Sequence, residues 1–256
     1  MKKILYIVLC LMLIMTSCEL FELDNLDGPD AQISGKFIDS GTGETVQMET
    51  YTGAVTGVMN VTELGWDFEA IQDWLVKYDG TYRNNRVFAG DYRIESTRLN
   101  CFPFSDTISL SKGENMQDFE VTPYCRIVDP QITYNSTTKK IVATFQVAMG
   151  DSIKISSVSQ VKLCASTDVF VGNYFNLCGS DAGAKKTTAT LPGEMVTLTI
   201  DTTLPANSTQ FMYVRDHYVR IAAQAMGSGN NAKRFYNFSP VFKISSDFST
   251  ITQVTW

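Results

Sequence analysis

Short runs in which apolar and polar residues alternate constrain the fold of this chain more than any other feature of its sequence. The clearest run is Val196-Thr197-Leu198-Thr199-Ile200-Asp201, and Ile141, Ala143, Phe145 and Val147 alternate with less apolar residues in the same way. Because a strand turns successive side chains to opposite faces, a period of two is typical of half-buried antiparallel strands. The sequence therefore predicts an all-β protein.

Turn signals divide the alternating runs into short strands. These signals are Gly41-Thr42-Gly43, Asp79-Gly80, Lys112-Gly113 and Gly227-Ser228-Gly229. Many short strands separated by such turns are typical of sandwiches and barrels. Pro123 lies between two alternating series and is the best candidate domain boundary. We therefore predict two tandem antiparallel β-sandwiches, over residues 31–122 and 123–256, and only Asp67–Leu75 is a candidate for a brief helix.

The first residues predict an exported protein. Lys2 and Lys3 precede the apolar run Ile4–Met15, which would rise only about 18 Å as a helix and is too short to cross a membrane. The run ends in Met15-Thr16-Ser17-Cys18, which resembles a bacterial lipobox. Residues 1–17 are therefore predicted to be a lipoprotein signal peptide, with Cys18 as the lipid anchor. The acidic residues 18–30 are predicted to be a tether.

The charge and the residue content argue against several kinds of function. The formal net charge is −6 and no cluster of Lys and Arg occurs, so nucleic acid is not an expected partner. His217 is the sole histidine, which excludes multi-histidine zinc sites, and we expect it at the surface or at a strand edge. The glycine-rich run at 227–231 lacks the Lys of a phosphate-binding loop. We expect no catalytic residue, no metal and no cofactor.

Four cysteines follow the predicted anchor: Cys101, Cys125, Cys164 and Cys178. A Cys164–Cys178 disulfide would close a 15-residue loop and contribute about 3 kcal/mol. A Cys101–Cys125 disulfide would bridge the two predicted domains. The alternative is that all four are buried thiols that pack as small apolar side chains.

Aromatic residues are the candidates for glycan binding, because sugar rings present apolar C–H faces to flat side chains. Trp66 and Trp74 flank two aspartates in the part of the first domain with the least regular strand pattern. Tyr174 and Phe175 lie between two asparagines in a predicted loop, where binding sites of sandwiches usually occur. The alternative for each of these residues is packing over a sandwich core.

Four segments of the first half carry a family resemblance. They are Gly35-Lys36-Phe37-Ile38-Asp39, Thr42-Gly43-Glu44, Asp79-Gly80-Thr81-Tyr82 and Phe88-Ala89-Gly90-Asp91-Tyr92-Arg93. Their order and spacing resemble the carboxypeptidase-regulatory-like, transthyretin-like sandwich. With the lipobox and the junction Val121-Thr122-Pro123-Tyr124, the chain resembles an uncharacterised family of Bacteroidetes outer-membrane lipoproteins. The resemblance implies an immunoglobulin- or fibronectin-like second domain, to which Tyr218-Val219-Arg220-Ile221 and Asn237-Phe238-Ser239-Pro240 are similar.

The resemblance also implies a functional setting, since members of that family are often encoded beside transporter pairs of the starch-utilisation type. We therefore expect a non-enzymatic, surface-anchored lipoprotein of the outer membrane, either a glycan-binding or a scaffolding component of polysaccharide uptake. Its expected partners are the membrane, through acyl chains, and a polysaccharide or an outer-membrane transporter complex. The alternative is an adhesin or a pilus-related subunit. Three segments resemble Bacteroidetes O-glycosylation sites, which would modify Thr107, Ser152 and Thr202.

Overall fold

The computed structural model describes residues 27–51, 56–187, 190–226 and 235–256. Within these ranges the chain consists mainly of β-strands, so the predicted all-β class is confirmed. The predicted signal peptide, Cys18, most of the predicted tether and the turn at 227–229 lie outside the described residues.

The strands before Pro123 form two facing sheets. The strands are β1 (Ala31–Asp39), β2 (Val58–Glu63), β3 (Ile71–Leu75), β4 (Thr81–Val87), β5 (Gly90–Arg98), β6 (Ser105–Leu110), β7 (Gly113–Met116) and β8 (Phe119–Val121). One sheet has the order β4-β1-β7, with β8 also paired to β1, and the other has the order β3-β2-β5-β6. β1 pairs with β7 and with β8 in parallel. The first sandwich is therefore not purely antiparallel, because its first strand lies beside its last two.

The core of the first sandwich lies between these two sheets. The inward residues of β5 are Tyr92 and Ile94, and those of β6 are Ile108 and Leu110, with polar residues between them on the outer face. Phe37 of β1 packs in the same core, with its ring centroid 5.4 Å from that of Phe119. Burial of these alternate residues is the main force that holds the two sheets together.

The strands after Pro123 form a second pair of sheets. They are β9 (Cys125–Asn135), β10 (Lys140–Met149), β11 (Ser157–Ser166), β12 (Lys185–Lys186), β13 (Val196–Asp201), β14 (His217–Met226), β15 (Asn237–Phe238), β16 (Phe242–Ile244) and β17 (Ile251–Gln253). One sheet has the order β13-β10-β9, and the other has the order β12-β11-β14-β16-β17, with β15 paired to β14. Each sheet is thus built from residues on one side of Pro123.

Strand β14 is buried on both of its faces. Val219, Ile221 and Ala223 point into the core between the two sheets of the second sandwich. Ala222 lies on the opposite face, in a smaller apolar cluster with Cys164 of β11. The outer face of this sheet is therefore covered, and part of that cover comes from the first sandwich.

Helical structure is brief in the described residues. It comprises α1 (Pro205–Phe211) and one turn of 3₁₀ helix at Ala182–Ala184. The segment Asp67–Leu75, which was the candidate for a brief helix, is not helical: its second half is the edge strand β3, which pairs with β2. No helix in the described ranges is long and apolar enough to cross a membrane.

Neither predicted disulfide is present: all four cysteines are buried free thiols. The members of each predicted pair pack in different clusters. Cys164 lies on the outer face of its sheet, whereas Cys178 lies in the core of the second sandwich. Cys101 belongs to the core of the first sandwich and Cys125 to that of the second. Burial also raises the pKa of each thiol to about 12, which keeps it protonated.

Candidate functional site

A fully buried arginine joins the two sandwiches. Arg220, on the outer face of β14, donates from Nη1 to the carbonyl of Met48 at 2.7 Å and from Nη2 to the carbonyl of Tyr78 at 3.3 Å. Its Nε donates to the carbonyl of Ser239 at 2.8 Å. The guanidinium also lies 4.5 Å from the ring centroid of Phe238. Burial lowers the pKa of Arg220 to about 10, so it stays charged at neutral pH.

Glu49 joins the first sandwich to a loop of the second. Its Oε1 accepts a hydrogen bond from the backbone N–H of Tyr174 at 2.8 Å. A Cβ at Gly172 would lie 2.2 Å from the same oxygen, so only glycine permits this close approach. Burial raises the pKa of Glu49 to about 7, against the opposing effects of the Tyr174 N–H and the Arg220 charge. Glu49 thereby fixes the position of the loop that carries Phe170 and Phe175.

Polar contacts on other parts of the junction add to this docking. Asn237 Nδ2 donates to the carbonyl of Asn100 at 2.7 Å across the junction. Arg126 forms a bidentate ion pair with Asp39, with both N–O distances at 2.5 Å. Because these groups are largely buried, each contact also fixes the relative orientation of the two sandwiches.

A groove of about 780 Å³ lies at this junction, beside the Arg220 and Glu49 contacts. Both sandwiches line it. The lining residues are Thr50, Leu75, Val76, Lys77, Tyr78 and Asp79 from the first, and Ser166, Asp168, Phe170, Phe175 and Trp256 from the second. Its volume is within the range of about 300–1,000 Å³ that is usual for small-molecule sites.

Three aromatic rings form one wall of the groove. Phe170 and Trp256 are stacked, with their ring centroids 5.9 Å apart and an interplanar angle of 23°. Tyr78 packs edge-on against Phe170 at 5.2 Å, and its hydroxyl donates to the carbonyl of Phe170 at 3.0 Å. Phe170 and Trp256 are 50% and 51% exposed, so each ring keeps a face or an edge in solvent. This wall can bury the apolar face of a flat ligand.

Two carboxylates lie in the same groove. Asp79 Oδ1 accepts from the N–H and the hydroxyl of Thr81, at 3.0 and 2.8 Å. Asp168 Oδ1 accepts from the N–H of Phe170 at 3.0 Å. The Oδ2 atoms of both residues have no hydrogen-bond partner among the described residues, so each can accept from a bound hydroxyl group. The described residues hold no cluster of side chains suited to a metal ion.

The structure separates the predicted glycan-binding residues. Trp66 is 63% exposed in the turn before β3, outside the groove. Trp74 is buried in the core of the first sandwich, where its Nε1 donates to Gln72 at 3.1 Å. The prediction for Trp74 is therefore wrong, because a buried indole cannot stack against a sugar.

Phe175 and Tyr174 both lie at the junction. Phe175 lines the groove, whereas Tyr174 packs against Tyr51 with its ring tilted by 32° and with 4.6 Å between ring centroids. The sequence reasoning missed Phe170 and Trp256. Phe170 lies in the same aromatic loop as Phe175, and that proximity was the available signal.

The prediction that His217 lies at the surface or at a strand edge is wrong, because the residue is buried at the start of β14, which lies between β11 and β16. Its ring is stacked with Phe248, with 5.7 Å between centroids, and Nε2 lies 3.0 Å from the carbonyl of Gln210. It lies outside the groove and serves the packing of the second core.

The three predicted glycosylation residues differ in their accessibility. Thr107 on β6 and Ser152 in the turn after β10 are exposed. Thr202 is partly buried, and its hydroxyl donates to the carbonyl of Lys139 at 2.8 Å. Modification of any of these hydroxyls stays a prediction.

The fold and the groove define the class of the protein: two docked β-sandwiches with an aromatic-lined groove between them. Residues 31–122 match the family model described as "Protein of unknown function (DUF3823) N-terminal domain". A crystal structure of a "putative carbohydrate binding protein" from Bacteroides uniformis is 30% identical, with a TM-score of 0.74, over 89% of this chain and 100% of that one. The chain therefore belongs to the DUF3823 family.

Two further crystal structures share the fold. A DUF3823 family protein from Parabacteroides merdae is 22% identical, with a TM-score of 0.68, over 85% of this chain and 99% of that one. Another, from Bacteroides uniformis, is 21% identical, with a TM-score of 0.62 and the same coverage. No curated protein matches the chain. The predicted resemblance to an uncharacterised Bacteroidetes family is confirmed as far as membership of the DUF3823 family. The lipoprotein anchor and the transporter setting stay predictions.

Proposed function

We propose that the protein is a non-enzymatic carbohydrate-binding protein that holds a glycan in the groove between its two sandwiches. The observation that carries this proposal is the stacked, half-exposed pair of Phe170 and Trp256 beside the carboxylates of Asp79 and Asp168. A pyranose ring has an apolar face that an aromatic ring can cover, and hydroxyl groups that carboxylate oxygens can accept. The relative described as a "putative carbohydrate binding protein" supports the same class of ligand.

The docking contacts explain why such a groove would keep its shape. Arg220 and Glu49 hold the two sandwiches together directly behind the aromatic wall. Binding groups that are already in place lose little conformational freedom when a ligand arrives. The groove is nevertheless open enough that its main rings are half exposed. We therefore expect binding to be specific but weak, in the micromolar to millimolar range.

We also propose that this binding serves polysaccharide uptake at the outer membrane. In this proposal Cys18 carries the acyl chains, and residues 18–30 let the sandwiches face the outside of the cell beside a transporter complex. Two or more acyl chains on one residue give durable anchoring. Many anchored copies beside a transporter raise the effective concentration of binding sites, so that weak contacts become useful.

The proposal is tested by calorimetry of the full-length protein in detergent against a panel of polysaccharides. The neutral members are amylopectin, dextran, xyloglucan and galactomannan, and the anionic members are polygalacturonate, alginate, hyaluronan and chondroitin sulfate. We expect binding to at least one member, and we expect Trp256→Ala or Phe170→Ala to weaken it at least tenfold without a change in melting temperature.

Trp66→Ala is the matched control, because Trp66 is an exposed tryptophan outside the groove. It should leave the affinity unchanged. Loss of binding in Trp66→Ala, with full binding in Trp256→Ala, would place the site at the turn before β3 instead. Binding to no member of the panel would contradict the proposed function.

A further inference from the structure

We infer, on the basis of the proposed function, that the groove is selective for neutral polysaccharides and discriminates against chains that carry carboxylate or sulfate groups. The inference rests on the charged side chains that line the groove and on the burial of the nearby Arg220, which keeps its guanidinium out of the groove.

The ionisable lining of the groove is mainly acidic. Among the lining residues, which all fall within the described part of the chain, Asp79 and Asp168 carry negative charges and Lys77 carries the positive one. Two neutral hydroxyl groups, Thr50 and Ser166, complete the polar lining. The two carboxylates attract hydroxyl donors and repel a ligand carboxylate or sulfate at the same distance.

The arginine nearest to the groove is not available to an anionic ligand. All three nitrogen atoms of the Arg220 guanidinium donate to backbone carbonyls, and the residue is fully buried. Arginine is the side chain that recognises carboxylate and sulfate groups by paired hydrogen bonds, and no arginine lines this groove. Glu49 lies behind the same wall and adds negative charge when it is ionised.

The remaining polar atoms match a neutral sugar. Asp79 and Asp168 each use Oδ1 within the protein and keep Oδ2 without a partner among the described residues. Because an ionised carboxylate oxygen only accepts hydrogen bonds, both positions require a donor on the ligand. Sugar hydroxyl groups are donors, whereas ionised carboxylate and sulfate groups are not. The aromatic wall accepts the apolar face of the same ring.

The test compares each neutral polysaccharide that binds with its own carboxymethylated derivative, and with the four anionic polysaccharides of the panel. Full-length protein in detergent is titrated at low ionic strength, where charge repulsion is least screened. We expect the carboxymethylated derivative and the anionic polysaccharides to bind at least tenfold more weakly than the neutral chain, through the same Trp256-dependent site.

Charge variants of the groove then connect selectivity to its two carboxylates. Asp79→Asn and Asp168→Asn keep an acceptor oxygen for the local turn and remove the charge. Each should therefore reduce the ratio between the affinity for a neutral chain and the affinity for its carboxymethylated derivative. Asp67→Asn is the matched control, because Asp67 is an exposed carboxylate outside the groove. It should leave this ratio unchanged.

The outcomes separate this inference from the proposed function. Trp256-dependent binding of an anionic polysaccharide as tightly as a neutral one would overturn the inference and leave the proposed function in place. The inference would also be overturned if the Asp79→Asn, Asp168→Asn double variant kept the full difference in affinity between neutral and carboxymethylated chains. Binding to none of the neutral or anionic chains would overturn the proposed function and the inference together.

Discussion

Replacement of Arg220 by Met should destabilise the protein strongly, because this buried cation holds the two sandwiches together. The substitution removes three hydrogen bonds from a charged group, two of them to carbonyls of the first sandwich, at Met48 and Tyr78. It also removes the positive charge that most favours the ionised form of the buried Glu49. Hydrogen bonds to charged groups contribute about 1.5–3 kcal/mol each, and loss of one partner of a buried pair costs about 3–5 kcal/mol.

Part of this cost is offset, because Met has a similar length and does not have to be desolvated as an ion. We therefore expect Arg220→Met to lower the free energy of unfolding by about 3–5 kcal/mol. For a chain of this size, this change corresponds to a fall in melting temperature of roughly 10 °C. Urea unfolding followed by circular dichroism measures the free energy, and a thermal scan measures the midpoint.

Two further variants make the result interpretable. Arg220→Lys keeps the charge but loses the forked geometry of the guanidinium, so it should be intermediate. Arg86→Met removes an exposed arginine from the first sandwich and should change stability by less than about 0.5 kcal/mol. An Arg220→Met protein as stable as Arg86→Met would refute the claim that this residue joins the sandwiches.

Three other predictions follow from the burial of particular groups. The folded-state pKa of Glu49, about 7, lies above its unfolded value near 4.5, so its contribution to stability is present below pH 4.5 and lost as the pH rises through 7. Between pH 5 and pH 8, the free energy of unfolding of Glu49→Gln, measured in urea, should therefore rise relative to that of the wild type by on the order of 3 kcal/mol. The same variant-to-wild-type difference at both pH values would contradict this. In the same assay, Trp74→Ala should lower the free energy of unfolding by about 3–5 kcal/mol and Trp66→Ala by less than about 0.5 kcal/mol, since only the Trp74 indole is in the core. Equal losses of stability in the two variants would contradict this. In a chain without residues 1–18, a thiol reagent should modify the four cysteines only after unfolding, because they are buried with raised pKa values, and rapid modification of the native chain would exclude that burial.

The sequence pattern predicted the fold class because alternation is a local property of each strand. The inward residues of β10 and β13 were identifiable before any contact was known, since their polar neighbours mark the outer face. The same pattern could have corrected the prediction for Trp74. Trp74, Val76 and Tyr78 are buried at a spacing of two, while the residues between them are exposed.

The groove could not be predicted in this way, because it depends on contacts between distant parts of the chain. Arg220 reaches carbonyls that lie 172 and 142 residues away. In the sequence it is one polar residue on the outer face of a strand, and that face is usually solvated. Trp256 joins the aromatic wall only through its contacts with Phe170 and Tyr78. No local spacing indicates such pairings.

The most direct test of glycan binding in the groove is ¹⁹F NMR of protein labelled with 5-fluorotryptophan. The sequence contains three tryptophans, so each resonance can be assigned with single Trp→Phe variants. Trp256 lies in the groove, Trp66 is exposed outside it and Trp74 is in the core. On titration with a polysaccharide that binds, we predict that the Trp256 resonance shifts or broadens while the other two stay in place. A shift confined to Trp66, or binding without any change at Trp256, would contradict the assignment of the site to the groove.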